Sequence, residues 1–244
     1  MTTSALLVIQ HEDACPPAWF GDWLGDAGLW LDVLRAHRGA PIPTDLAGYA
    51  GLMVLGGEMG AGDDATHAWL TATKALIRHV VAKEQPFLGI CLGHQLAAVA
   101  LGGEVVANPN GPATGITPIA LTRAGREDEL LGLLGPDAVA VQWNDDVVAR
   151  LPVGTVELAR SPDGSVQAAR FGENAWGVQF HPELSPEVFR LWTGDKPSAE
   201  HLRADGVDIA GVSAMVDASE QQLRAVWEPF ARRFAEISAA HGTH

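Results

Sequence analysis

The chain is short of cysteine, of basic residues and of long apolar runs, and each shortage closes off a class of function. Two cysteines in 244 residues, Cys15 and Cys91, cannot form a disulfide framework for a chain of this size. The N-terminus shows no basic segment followed by an apolar signal-peptide core, so a reducing cytoplasm is the expected setting. No apolar run approaches the ~20 residues that a membrane-crossing helix needs, and no membrane partner is expected. Only 16 Lys and Arg stand against 30 Asp and Glu, a formal net charge of −14, which argues against a nucleic-acid or anionic-lipid surface. The nine histidines include no His-x-His, and Cys91 with His94 has no second ligand-spaced pair, so no metal is expected. Repeats, low-complexity tracts and coiled-coil heptads are also missing. What remains is a composition of 47% hydrophobic and 19% charged residues, enough to bury one large core.

Short apolar runs recur at Ala5 to Ile9, Leu29 to Leu34, Leu52 to Leu55 and Phe87 to Ile90, with helical patterns between most of them. Trp69, Leu70, Thr73, Leu76, Ile77 and Val80 trace one apolar face, predicting a helix from about Ala65 to Lys83. Such alternation predicts an α/β domain whose mostly parallel central sheet is covered on both faces, with ligands at the carboxyl ends of strands. Beyond Gly103 the runs Gly115 to Leu121, Ala138 to Gln142, Thr155 to Ala159, Val166 to Phe171 and Ala175 to Phe180 read as hairpins extending that sheet. From Ser185 the pattern is helical again, and Val216, Leu223, Val226, Trp227, Phe230, Phe234 and Ile237 form a stripe that should pack onto the domain. Asp217 and Glu220 are placed to form its capping box, and Pro229 should kink or divide it. The expected division is a domain over residues 1–192 with a helical C-terminal extension over 193–244 packed on it.

Three stretches carry candidate chemistry. In Phe87-Leu88-Gly89-Ile90-Cys91-Leu92-Gly93-His94-Gln95 a buried strand turns through one cysteine into a helix. A residue at such a junction sits in a strained turn with its side chain presented, and Gly89 and Gly93 let the backbone close around it. The helix start aims N–H groups at Cys91 and favours a thiolate. Next, His181-Pro182-Glu183 follows an extended run, so His181 and Glu183, two apart, face one side as a base and its orienter. Finally, Gly56-Gly57 ends a strand in a turn that can offer a backbone N–H, and the Gly57 and Leu92 amides are the candidate oxyanion donors. His94 receives no role, and Cys15 reads as a buried or loop thiol.

In this order and spacing the three stretches resemble the class I, or triad, glutamine amidotransferases, over about Ser4 to Trp192. The resemblance implies a flavodoxin-like α/β fold and a Cys91–His181–Glu183 triad. It also implies that Gln95 and Gly56 meet the substrate glutamine and that no cofactor is needed. Stand-alone members often carry Trp-His-Gly-Asp facing the active site, and here Trp143-Asn144-Asp145-Asp146 stands in that place. Trp143, Asn144 and Asp146 are therefore the expected substrate contacts, with the Asp146 carboxylate available to the donor's ammonium group.

The function expected from this resemblance is hydrolysis of a γ-glutamyl amide, glutamine foremost, through a glutamyl thioester. Ammonia would then pass to a separate synthetase subunit, since the residues after Trp192 are too few for a synthetase domain, or the enzyme is a simple hydrolase. A γ-glutamyl peptide hydrolase uses the same triad on a larger leaving amine. A catalytically silent binding module of the same fold is the third reading.

Overall fold

In a computed structural model, which describes residues 4–194, 197–204 and 206–241, the apolar runs become strands that feed two separate cores. The first part of the chain runs β1 (Ser4–Gln10), α1 (Ala18–Asp26), β2 (Leu29–Arg35), β3 (Gly51–Val54), α2 (Trp69–Ala82), β4 (Phe87–Ile90) and α3 (Leu92–Ala100). It continues through β5 (Glu104–Ala107), β6 (Ala113–Pro118), β7 (Ala120–Leu121), α4 (Arg123–Glu127), β8 (Val139–Asn144) and β9 (Asp146–Arg150). Then follow β10 (Val156–Arg160), β11 (Val166–Gly172), β12 (Ala175–Val178), α5 (Pro186–Thr193), α6 (Pro197–Ala204), α7 (Ile209–Ala218) and α8 (Glu220–His241).

Eight strands form one sheet in the order β2-β1-β3-β4-β12-β11-β10-β7. The first five are parallel to their neighbours and the last three antiparallel. Side chains alternate between faces, as strand geometry requires. Leu6 and Val8 of β1, Met53 of β3 and Leu88 and Ile90 of β4 join one core; Leu7, Ile9, Leu52, Val54 and Phe87 join the other. Helices α2 and α3 cover the second core with Leu70, Leu76, Ile77, Leu96 and Ala97. The first is covered by α1 and α8, whose Trp19, Phe20, Trp23, Leu223, Trp227, Phe230 and Phe234 are all buried there. Phe20 and Phe230 lie 6.2 Å apart between ring centroids, and Trp227 stacks on Phe180 at 4.9 Å.

Four expectations need correction. Helix α2 begins at Trp69, not Ala65, because the Asp63 carbonyl takes the Thr66 and His67 amides into a turn first. The runs near Gly115 and Ala138 do not extend the main sheet: β6 pairs with β8, and β5 with β9, in two small antiparallel sheets, while only β7 reaches the main sheet's edge. Asp217 caps nothing; it lies in α7 and its carboxylate accepts from Arg190 Nη1 at 2.5 Å. Pro229 does not divide α8, which is continuous through it. No helix among the described residues is long and apolar enough to cross a membrane.

Candidate active site

The parallel strands β1, β3, β4 and β12 end on one side of the sheet, and the segments leaving them carry Glu12, Gly56–Gly57, Cys91 and His181. Ligand sites of open α/β sheets lie at such carboxyl ends. A cleft of about 260 Å³ opens there, with Glu12, Cys15, Gly57, Cys91, Gln95 and His181 on its wall.

Cys91 joins β4 directly to α3 with φ +49° and ψ −103°, a conformation that side-chain-bearing residues rarely adopt. The surrounding backbone holds it there. A side chain at Gly89 would come within 2.6 Å of the Gly93 carbonyl group, and one at Gly93 would run into the Val54 carbonyl of β3. The Cys91 amide donates to the Val178 carbonyl at 2.8 Å, tying the turn to β12. Its Sγ accepts from Gln179 Nε2 at 3.6 Å.

His181 is 3% exposed, and its amide donates to the Val141 carbonyl of β8 at 2.9 Å. Its Nδ1 lies 2.9 Å from Glu183 Oε1, and Glu183 is equally buried. Burial works against the imidazolium, but the Glu183 and Cys91 charges and side-chain hydrogen bonds outweigh it and raise the ring to about 10. Trp192 of α5 meets the His181 ring edge to face at 4.8 Å and is itself fixed by Nε1 donating to the Ala14 carbonyl at 2.6 Å. Gly56 lies against the same ring, where an added Cβ would stand 3.0 Å from His181 Cε1 and 3.7 Å from Cys91 Cβ.

The remaining predicted residues divide. Gly57 lines the cleft, whereas Leu92, buried beside it, does not. Gln95 lines the cleft, but its Nε2 donates to the Asp146 carbonyl at 3.1 Å and to Gln179 Oε1 at 3.2 Å. Trp143, Asn144, Asp145 and Asp146 all line it, at the point where the chain leaves β8 for β9. Burial, then the Asp145 and Asp63 charges, push the Asp146 carboxyl up from its ordinary value.

The family model for glutamine amidotransferase class-I matches residues 23–191. The chain belongs to that family. Among its relatives, gamma-glutamyl peptidase 5 of Arabidopsis thaliana is 30% identical over 173 residues, 69% of this chain and 68% of the relative. A glutamine-hydrolyzing GMP synthase subunit of Sulfolobus acidocaldarius is 43% identical over 107 residues, 43% of this chain and about half (55%) of the relative. The crystal structure of a glutamine amidotransferase from Methylobacillus flagellatus superposes with a TM-score of 0.83 at 26% identity, covering 99% of this chain and 96% of the other.

Sequence reasoning missed several walls of the cleft: Glu12, Cys15, Thr114, Trp192 and Leu202. It also missed Gln179, although Gln179 precedes His181 by the two residues that separate His181 from Glu183. Cys15 donates its thiol proton to Glu12 Oε1 at 3.1 Å. Burial, followed by the neighbouring Glu12, Glu183 and Cys91 charges, raises that thiol well above its ordinary value, so it stays protonated.

Proposed function

We propose that the chain hydrolyses a γ-glutamyl amide through a thioester on Cys91, with His181 as acid and base and Glu183 as its orienter. The supporting observation is that a strained, buried cysteine and a glutamate-paired histidine open on one cleft. The raised His181 stands as an imidazolium at neutral pH, and the Gln179 carboxamide donates to the Cys91 sulfur. The Cys91 sulfur attacks the γ-carbonyl carbon, and the oxyanion accepts hydrogen bonds from the Gly57 and Leu92 amides. His181 gives its proton to the departing nitrogen. It then takes one from the water that cleaves the thioester to glutamate.

Glutamine is the simplest donor, with ammonia passing to a separate synthetase subunit; likeness to a glutamine-hydrolyzing GMP synthase subunit supports this. A larger leaving amine is the second reading, favoured by Trp143, Asn144 and Asp145 on the cleft wall and by likeness to a γ-glutamyl peptidase. A panel of glutamine and γ-glutamyl amides, read as released glutamate and ammonia, tests both. At least one donor should be turned over, and Cys91→Ala should abolish that turnover. Wild-type protein silent on every γ-glutamyl amide would sink the proposal.

A further inference from the structure

Resting on that thioester reading, we propose that the cleft selects γ-glutamyl amides whose leaving amine carries its own positive charge, the γ-glutamyl derivatives of diamines or polyamines. Two walls of the cleft are acidic. Asp145 and Asp146 come from the β8–β9 junction, and Glu12 follows β1. No Lys or Arg lines the cleft among the described residues, and none of their side chains pairs with the Asp145 or Asp146 carboxylate. A glutamyl group has one ammonium and one carboxylate. It leaves most of this negative charge unanswered.

Two further polar atoms belong to residues of the same wall. Asn144 is 8% exposed and lines the cleft; its Nδ2 donates to the Asp146 carbonyl at 3.1 Å, while its Oδ1 is buried without a hydrogen-bond partner among the described residues. Thr114 also lines the cleft, and its Oγ1 is buried without a hydrogen-bond partner among the described residues. Buried acceptors without donors are costly and rare, so a donor-rich ligand group is the natural complement. An ammonium offers donors and no acceptor.

The aromatic residues say where that group sits. Trp192 touches the His181 ring, and Trp143 stands 6.3 Å from Trp192 between ring centroids, both lining the cleft. His181 protonates the departing nitrogen, so the amine leaves past these two indoles. Indole faces attract organic cations. Departing ammonia would make no use of them.

The reaction balances without any co-reactant beyond water. The Cys91 S–C bond forms at the γ-carbonyl carbon as the C–N bond breaks, and the His181 proton goes to the nitrogen. The diamine leaves with its distal ammonium unchanged. Water then adds to the thioester, giving glutamate and the free thiol.

The test compares kcat/KM for γ-glutamyl-1,4-diaminobutane, its uncharged isostere γ-glutamyl-pentylamide, γ-glutamyl-4-aminobutanoate and glutamine. The diamine derivative should exceed the pentylamide by about 10-fold or more, and the aminobutanoate should be slowest. That advantage should shrink in high salt, through screening, and in Asp145→Asn. Rates within threefold across the three alkyl donors, with Cys91→Ala inactive on all, would overturn the charge selection and leave the thioester chemistry standing. No turnover of any donor would instead remove the reading on which the selection rests.

Discussion

Gly56 has no side chain because the His181 ring occupies the space one would need. A methyl group at residue 56 would stand 3.0 Å from His181 Cε1, so the ring must give by a few tenths of an ångström. The ring has little room to give, being held by Glu183 on one nitrogen and by Trp192 across its edge. Small displacements of a reacting group cost far more in rate than in stability, on the order of 10²-fold for 1 Å. Gly56→Ala should therefore lower kcat by at least roughly tenfold while leaving the melting temperature within a few degrees of wild type. Activity assays and thermal unfolding on the same preparation check this, and full activity in the variant would show that the ring is not confined.

At the scale of elements, α8 runs through Pro229 because what the proline removes faces water. The carbonyl that loses its partner belongs to Ala225, and both Ala225 and Pro229 are exposed, while Trp227, Phe230 and Phe234 hold the opposite face in the core. Trp227 also donates Nε1 to the Val139 carbonyl of β8 at 3.1 Å. Trp227→Ala should cost about 3–5 kcal/mol and lower the melting temperature by roughly 10 °C. A change of only a degree or two would mean that the helix is an appendage. The helical stripe was legible in the sequence because burial imposes a period on it, and the parallel strands were legible as apolar runs for the same reason. The Gly89–Cys91–Gly93 frame and the His181–Glu183 pair were legible because their partners are close in sequence. Glu12, Thr114 and Leu202 belong to segments far apart in the chain, and nothing local marks them as one wall. Asp217 misled for the opposite reason: its spacing to Glu220 fits a cap, but a partner 27 residues away, Arg190, takes its carboxylate. The switch of sheets at Asp145 has no signature either, since the apolar run Ala138 to Gln142 marks β8 and nothing in the pattern marks β9.

For the molecule as a whole, stability should peak near pH 6.5, because buried histidines pull in opposite directions on either side of it. His11 and His94 are wholly enclosed, and burial lowers each from 6.5 to about 3, with the His37 and His67 charges adding to the effect at His11. From pH 6.5 down to about 3 the unfolded chain binds a proton at each that the folded chain refuses, so stability falls with falling pH. His181, raised to about 10, has the opposite sign. Its folded-state proton is worth most below pH 6.5, and that contribution is lost as the pH rises toward 10. His94 is the cleaner probe, since its ring packs on Phe171 at 5.5 Å, does not line the cleft and has neither nitrogen hydrogen-bonded among the described residues. His94→Met keeps an adaptable apolar side chain there and deletes one titrating group. The unfolding free energy from urea titrations between pH 4 and 6 should then fall less steeply with acid, by up to about 1.4 kcal/mol per pH unit, with the alkaline limb unchanged. An acid limb of undiminished slope would show that His94 takes up its proton in the folded chain as readily as in the unfolded one.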